Sequence, residues 1–435
     1  MAHEPFESTI ESLSHDGRGI TARNQKTTFV SGALPGEKVT AKIAHQHRRY
    51  DEARVLDVIT PSPDRTEPAC AHYGVCGGCS MQHVKDEAEV RLKQDILLDQ
   101  LKHLGKVTPT EILPPITGHP FGYRRKARLG VRYVIKKEKL LVGFREKFSN
   151  YLADIQTCKV LHPSVGERLS ELATFIRSLT QYDQIPQIEV AVSDTATALV
   201  FRHMTPLPKE DIHALCEFGQ KYQFHIYLQP DSPDSVHRIF PDESEQLLSY
   251  FLPDYQLEMR FHPLDFTQVN AEMNHKMIAS AIQLLDLKSS DTVLDLFCGL
   301  GNFTLPIARF AKHVTGVEGS TQMVERAKEN ALLNQITNAA FYAANLMKPS
   351  ESAPWITTSF DKILLDPPRT GAREILPFIA NKSASRIVYV SCNPATLARD
   401  ANDLVTIYGY TLKKTGAINM FPHTSHIEAI ALFEK

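Results

Sequence analysis

The residues best placed by type and spacing to do chemistry are one thiol, two carboxylates and a glycine turn, all in the last third of this 435-residue chain. The thiol is Cys392, in Ile387-Val388-Tyr389-Val390-Ser391-Cys392-Asn393-Pro394. The apolar run predicts a buried strand, and Asn-Pro stops it and can open a helix. Ligands of open α/β sheets bind at the carboxyl ends of strands, so a cysteine there faces a cleft. The bland alternative is an inert, apolar cysteine, a common role for free thiols. Asp366 likewise ends an apolar stretch, Phe360 to Leu365, and is followed by Pro367-Pro368-Arg369. Glu428 opens the last strand, in Ile427-Glu428-Ala429-Ile430. Most acids at strand edges are solvated, but one flanked by this much apolar sequence is a general-base candidate.

The glycine turn is Cys298-Gly299-Leu300-Gly301-Asn302-Phe303, between an apolar strand over 292–297 and a helix. A second strand, 313–318, ends in Glu318, 19 residues after Gly299. Such a βαβ unit binds an adenosine, with glycines for close approach and the acid for ribose hydroxyls. The third glycine of a dinucleotide fingerprint would fall at Thr304, which favours S-adenosylmethionine over NAD. Asn345 follows the strand 339–342, where an adenine amino group could be read. A methyl donor beside a nucleophilic cysteine points to methylation of an inert carbon. Thiolate addition at C6 of a pyrimidine makes C5 nucleophilic, and a base must then remove the C5 proton. Cys392, Asp366 and Glu428 supply a nucleophile, a polar anchor and a base.

Cys70, Cys76 and Cys79, spaced C-x5-C-x2-C with two glycines between the last pair, form a second constellation. Three thiolates so close need a cation. Zinc would take four ligands, recruiting His72 or His83. An iron–sulfur cluster would take a fourth thiolate, and Cys158 could fold back to supply it.

The elements that must position these residues divide the chain into three domains, 1–60, 61–262 and 263–435. Residues 6–13, 27–30, 39–44 and 54–59 read as short strands of a small barrel. The run His45-Gln46-His47-Arg48-Arg49-Tyr50 is either an RNA contact or a solvated turn. A helix over 84–104 follows the cysteines and is a candidate to pack on the catalytic domain. Tyr123 to Tyr133 alternates basic and apolar residues, which reads as a cationic RNA-facing strand or a lysine-guarded edge. Helical periodicity over 165–179 and 209–221, with strands near 187–192, 198–202 and 224–228, suggests an α+β domain. Cys216 reads as core packing. From Leu264 the pattern becomes alternating strand and helix, an α/β architecture.

Apolar content of 43% and charge of 23% suit a soluble globular protein, and a net charge of −2 means RNA affinity must come from local patches. No stretch is long and apolar enough to span a membrane. Met1-Ala2-His3-Glu4-Pro5 lacks a signal-peptide layout. A cytoplasmic protein is therefore expected, and the mixed polar surface suggests a monomer.

Together these motifs resemble the uracil-C5 RNA methyltransferase family over essentially the whole chain. The resemblance implies a TRAM domain (an OB-type barrel) at the N-terminus and a central α+β domain holding a [4Fe–4S] cluster on Cys70, Cys76, Cys79 and Cys158. It implies a C-terminal Rossmann-like, S-adenosylmethionine-dependent methyltransferase domain. Cys392 would be the nucleophile and Glu428 the base. Gln268 (in Phe266-Thr267-Gln268), Phe297, Asn302, Glu318, Asn345 and Asp366 match positions that hold S-adenosylmethionine, and Gln268 and Asp366 are also candidates to touch the uracil. The subgroup it resembles most makes 5-methyluridine in 23S rRNA. A dual-site rRNA enzyme, a tRNA enzyme, and a non-catalytic iron–sulfur RNA-binding protein are the alternatives. A DNA cytosine methyltransferase would carry its Pro-Cys where Asp366-Pro367 stands, and an amino-group methyltransferase would have an aromatic at Arg369.

Overall fold

The computed structural model describes residues 4–242, 247–350, 353–380 and 384–435. Its first sheet curls on itself. Phe6–Thr9 pairs with Lys38–Gln46, while Ser12–Leu13 pairs with Gly19–Arg23. One bent segment thus joins both ends of a sheet completed by Lys26–Ser31 and Tyr50–Thr60. Ile10, at the bend, points into a core of Val30, Val39, Ala41, Ile43 and Ala53. Gly19 permits the closure, since a Cβ there would sit 2.8 Å from Ile10 Cγ2. The expected strand 6–13 is therefore two strands, and Gly19–Arg23 is one that the sequence pattern did not reveal.

The central sheet runs His237–Phe240, Phe224–Gln229, Thr197–Arg202, Gln187–Val192, Lys126–Val134 and Lys139–Gly143. Helices Leu169–Ser178 and Lys209–Tyr222 cover one face through Leu172, Ile176, Leu215 and Phe218. The helical run expected over 165–179 breaks between Pro163–Gly166 and Leu169–Ser178. Residues of the opposite face, Ala191, Ala198, Val200 and Tyr227, join the core of the C-terminal domain. Cys216 is half-buried with its thiol 3.6 Å from the Ile239 carbonyl, so it lines the core rather than filling it.

The basic strand is corrected by its neighbours. Lys126–Val134 lies between two strands, so it is not a guarded edge. Its cationic face is neutralised in part: Arg128 pairs with Glu189 at 2.5 Å and Arg125, just before the strand, with Asp194, while Arg132 stays exposed. The Lys126 ammonium is enclosed and donates to the Pro263 and Asp265 carbonyls at 2.5 and 2.8 Å. Partners distant in sequence thus neutralise part of a pattern that reads as cationic along the chain.

The C-terminal sheet has the order Ala339–Ala343, His313–Glu318, Thr292–Leu296, Lys362–Leu365, Arg386–Ser391, Glu428–Glu434, Thr411–Ile418 and Glu111–Ile112. The first five are parallel, and Glu428–Glu434 is antiparallel to both neighbours. Both faces are covered, as a largely parallel sheet requires. Ala271–Leu285 and Thr321–Leu333 pack on one side, and Asp86–His103 and Pro394–Thr406 on the other. Helix Asp86–His103 carries Leu97 and Leu101 into that core and adds a buried Glu89–Lys93 ion pair of 2.6 Å. The hairpin Leu248–Leu252/Leu257–Phe261 is fastened to helix Thr321–Leu333 by Asn330 and Asn334, which accept from the Arg260 and Glu258 amides at 2.8 and 2.9 Å. No helix among the described residues is long and apolar enough to cross a membrane.

Candidate active site

Strand register decides which reactive groups meet. Ser391 pairs with Ala429 and Val390 with Ile430. The ladder ends there, and Cys392 and Glu428 are the adjoining residues on the two strands, close enough for the Glu428 charge to act on the thiol. Asn393 caps helix Pro394–Thr406 by accepting from the Ala395 amide at 3.1 Å, which ends the strand at the thiol. On the other side Leu365 pairs with Tyr389, so Asp366 leaves the sheet at the same end. Pro367 and Pro368 then stiffen the turn.

The three groups share one environment. Glu428 is only 5% exposed. Burial pushes its carboxyl up to about 8, with Asp366 adding to the shift and Arg369 opposing it. Asp366 keeps some surface open to the cleft, yet protein atoms surround it deeply enough to raise it to about 7. Half-buried Cys392 is pushed to about 11 by burial, then by Glu428 and Asp366, against the pull of Arg369. At neutral pH the resting thiol is protonated, and addition to an electrophile requires help.

The glycine turn lies beside them. Phe297, Gly299 and Gly301 all have positive φ (66°, 54° and 95°). A Cβ built on Gly299 meets no atom within 4 Å, so this backbone borders open space. The Glu318 carboxylate accepts from the Gly299 amide at 3.2 Å and the Ser320 amide at 3.0 Å. A carboxylate has further lone pairs for two hydroxyls. Asn302 is committed differently. Its amide exchanges hydrogen bonds with Asn274 at 2.9 and 3.0 Å and accepts from the Tyr250 hydroxyl at 2.9 Å. Gln268 sits with Tyr250 and Asn274 around a small recess. Asn345 follows strand Ala339–Ala343, exposed, and accepts from the Met347 amide at 3.0 Å.

Cys70, Cys76, Cys79 and Cys158 line one cavity of about 330 Å³ with His72, Tyr73 and Arg124. Cys158 reaches it because its amide donates to the Gly166 carbonyl at 2.7 Å, folding residues 158–166 into a tight loop. No three His, Cys, Asp or Glu side chains among the described residues converge on a point suited to a single metal ion. The cavity wall continues into Thr424, Ser425 and His426, which precede Glu428.

A sequence profile of the family described as tRNA (Uracil-5-)-methyltransferase matches residues 184–348 and 355–435. A TRAM-domain profile matches residues 6–56. The chain is 52% identical over its full length to a Hahella chejuensis protein, covering 98% of it, named 23S rRNA (uracil(1939)-C(5))-methyltransferase RlmD. The chain belongs to the uracil-C5 RNA methyltransferase family. A relative of the same name from Alcanivorax borkumensis is 51% identical over all of this chain and 98% of its own. In fold, the chain resembles a Pyrococcus abyssi tRNA (uracil-54, C5)-methyltransferase solved with S-adenosyl-L-homocysteine. That match has a TM-score of 0.74 and 22% identity, covering 98% of this chain and 100% of that one. This family member therefore carries a TRAM domain ahead of a methyltransferase fold.

Several residues around this candidate site escaped the sequence reading. Asp295 lies in mid-strand beneath the glycine turn, raised to about 8 mainly by burial, and accepts from the Thr304 hydroxyl at 2.5 Å. Its signal was an acid inside Val293-Leu294-Asp295-Leu296, where an apolar residue would be expected. Tyr250 and Asn274, which hold Asn302, carried no local signal. Nor did His426, whose Nδ1 lies 3.1 Å from Arg369 Nη2.

Proposed function

We propose that this chain uses S-adenosylmethionine to methylate C5 of a uridine in 23S rRNA, giving 5-methyluridine. The observation that carries the reading is the meeting of Cys392 with Glu428 and Asp366 where the paired strands end, beside an acid-lined glycine turn. Asp295, Glu318 and Asp366 surround that turn. Carboxyl oxygens around this turn suit a cationic sulfonium better than a pyrophosphate. The names of relatives 51–52% identical over the whole chain support rRNA as the substrate, which also suits a cytoplasmic setting.

Bound at this turn, S-adenosylmethionine supplies an electrophilic methyl group. Glu318 would accept from its ribose hydroxyls, Asn345 would read its adenine edge, and Phe297 and Gln268 would border it. Asn302 acts from behind, holding the turn through Asn274 and Tyr250. The Cys392 thiolate adds to C6 of the flipped uracil, forming a C–S bond and leaving C5 nucleophilic. Asp366 anchors the polar edge of the base. After C5 is methylated, ionised Glu428 removes the C5 proton. The C6–S bond then breaks, restoring the ring double bond and the thiolate.

The four-thiol cavity fits a [4Fe–4S] cluster. The four cysteines line it together, and an all-thiolate donor set suits iron–sulfur chemistry. Cys70, Cys76, Cys79 and Cys158 would hold it. Its contribution would be to fasten the loops around it.

The test is a nucleoside assay. Unmodified 23S rRNA fragments and, separately, unmodified tRNA are incubated with the protein and S-adenosylmethionine, digested and weighed for 5-methyluridine. Product in rRNA alone is expected. Product in tRNA alone would overturn the substrate, and product in neither would overturn the activity.

A further inference from the structure

We infer that Arg369 is the positioning cation that draws the Cys392 thiol toward thiolate, and that His426 holds it in place. This deepens the methylation reading and rests on it for the role of Cys392. Ionising the thiol works against its two carboxyl neighbours. Cys392 must become a thiolate between Glu428 from the adjacent strand and Asp366 from the loop on its other side. Arg369 is the one cation among the described residues that acts on both Cys392 and Glu428. His426, in the loop before Glu428, is held toward its neutral form by burial, then by Arg369, and further by Lys93 and Arg124 from other elements.

The anchoring is specific to the two reactive groups. The Arg369 carbonyl accepts from Asn393 Nδ2 at 3.0 Å, and Asn393 is the residue after the nucleophile. The guanidinium Nη2 donates to His426 Nδ1 at 3.1 Å, and His426 lies two residues before the base. A guanidinium has only donors, so Nδ1 is the acceptor and His426 carries its proton on Nε2. The loop itself is braced. Pro367 and Pro368 restrict it, the Gly371 amide donates to the Pro368 carbonyl at 2.9 Å, and Arg399 Nη2 donates to the Thr370 carbonyl at 2.9 Å. Arg369 is exposed and forms no ion pair with a carboxylate among the described residues. Folding therefore does not explain a cation there, whereas a fixed positive charge beside a nascent thiolate favours the charged form.

The experiment measures alkylation of Cys392 by iodoacetamide in the full-length protein, without RNA or methyl donor, by mass of its peptide across a pH series. The thiolate is the reactive form. Arg369→Gln should move the profile up by about one pH unit, slowing alkylation about tenfold at neutral pH. Arg369→Lys should fall between Gln and wild type, and His426→Ala should shift the profile the same way by less. A Gln profile that superimposes on wild type would overturn the inference. So would a Gln variant with unchanged alkylation but a raised KM for RNA, which would make Arg369 a phosphate contact. Wild-type protein that forms no 5-methyluridine while its variants show the shift would sink the functional reading and leave the thiol assignment standing.

Discussion

Glu428 is a carboxylate that the fold keeps largely protonated at neutral pH, yet the proposed chemistry needs it ionised. Burial, then the charge of Asp366, raises it from an ordinary 4.5 to about 8. A raised carboxyl binds its proton more tightly in the folded state. Its contribution to stability is therefore present in full below about 4.5 and is lost as pH rises through about 8. Glu428→Gln removes this dependence. Its melting temperature should match wild type near pH 4.5 and exceed it increasingly toward pH 8, while 5-methyluridine formation falls at least about 100-fold for want of the base. A variant less stable than wild type at pH 8 would show that Glu428 is held by contacts that reward its charge. The same burial explains why the thiol needs a nearby cation, since Cys392 lies far above its unperturbed range.

Helix Asp86–His103 is the element whose role is least apparent along the chain. It lies in sequence beside the cysteines yet packs on the C-terminal sheet, and it props the loop that leads to Glu428. Glu89 accepts from the His423 amide at 2.9 and 3.0 Å. Lys93 donates to Asn419 Oδ1 at 2.7 Å and the Phe421 carbonyl at 3.0 Å. Burial opposes the charge on both, raising Glu89 and lowering Lys93. Removing one partner strands the other. Lys93→Met should cost about 3–5 kcal/mol in denaturant unfolding, and adding Glu89→Gln should recover much of that loss. A double variant no more stable than the single one would mean that the ion pair is not what the helix contributes.

At the scale of the molecule, the cysteine cavity and the active site are joined by one loop. The Ser80 and Met81 amides both donate to the His423 carbonyl at 2.9 Å, and the Ser425 amide donates to Ser80 Oγ at 2.9 Å. A cluster that ties Cys79 to Cys158 would thereby fasten residues 423–426 as well. Protein purified without oxygen should be brown, with broad absorption toward the blue. Cys158→Ser should lose the colour and melt at a lower temperature. A colourless, zinc-loaded wild type would overturn the cluster.

By itself the sequence determined the chemistry and the local frames that carry it. Cys392 before Asn-Pro, Asp366 before Pro-Pro and the two glycines of the turn are legible because short-range sterics impose them. Strands such as Arg386–Ser391 are legible because burial on both faces demands an unbroken apolar run. Only the tertiary structure decided which of these groups meet. Cys392 meets Glu428 because the register of two strands distant in sequence brings their ends together. Helix Asp86–His103 and strand Glu111–Ile112 complete a layer begun hundreds of residues later, and the strand was invisible because two residues have no period. The charge of the basic segment 125–134 is offset in part by Asp194 and Glu189, which arrive from other segments. Charge and register depend on long-range partners, and no local pattern specifies them.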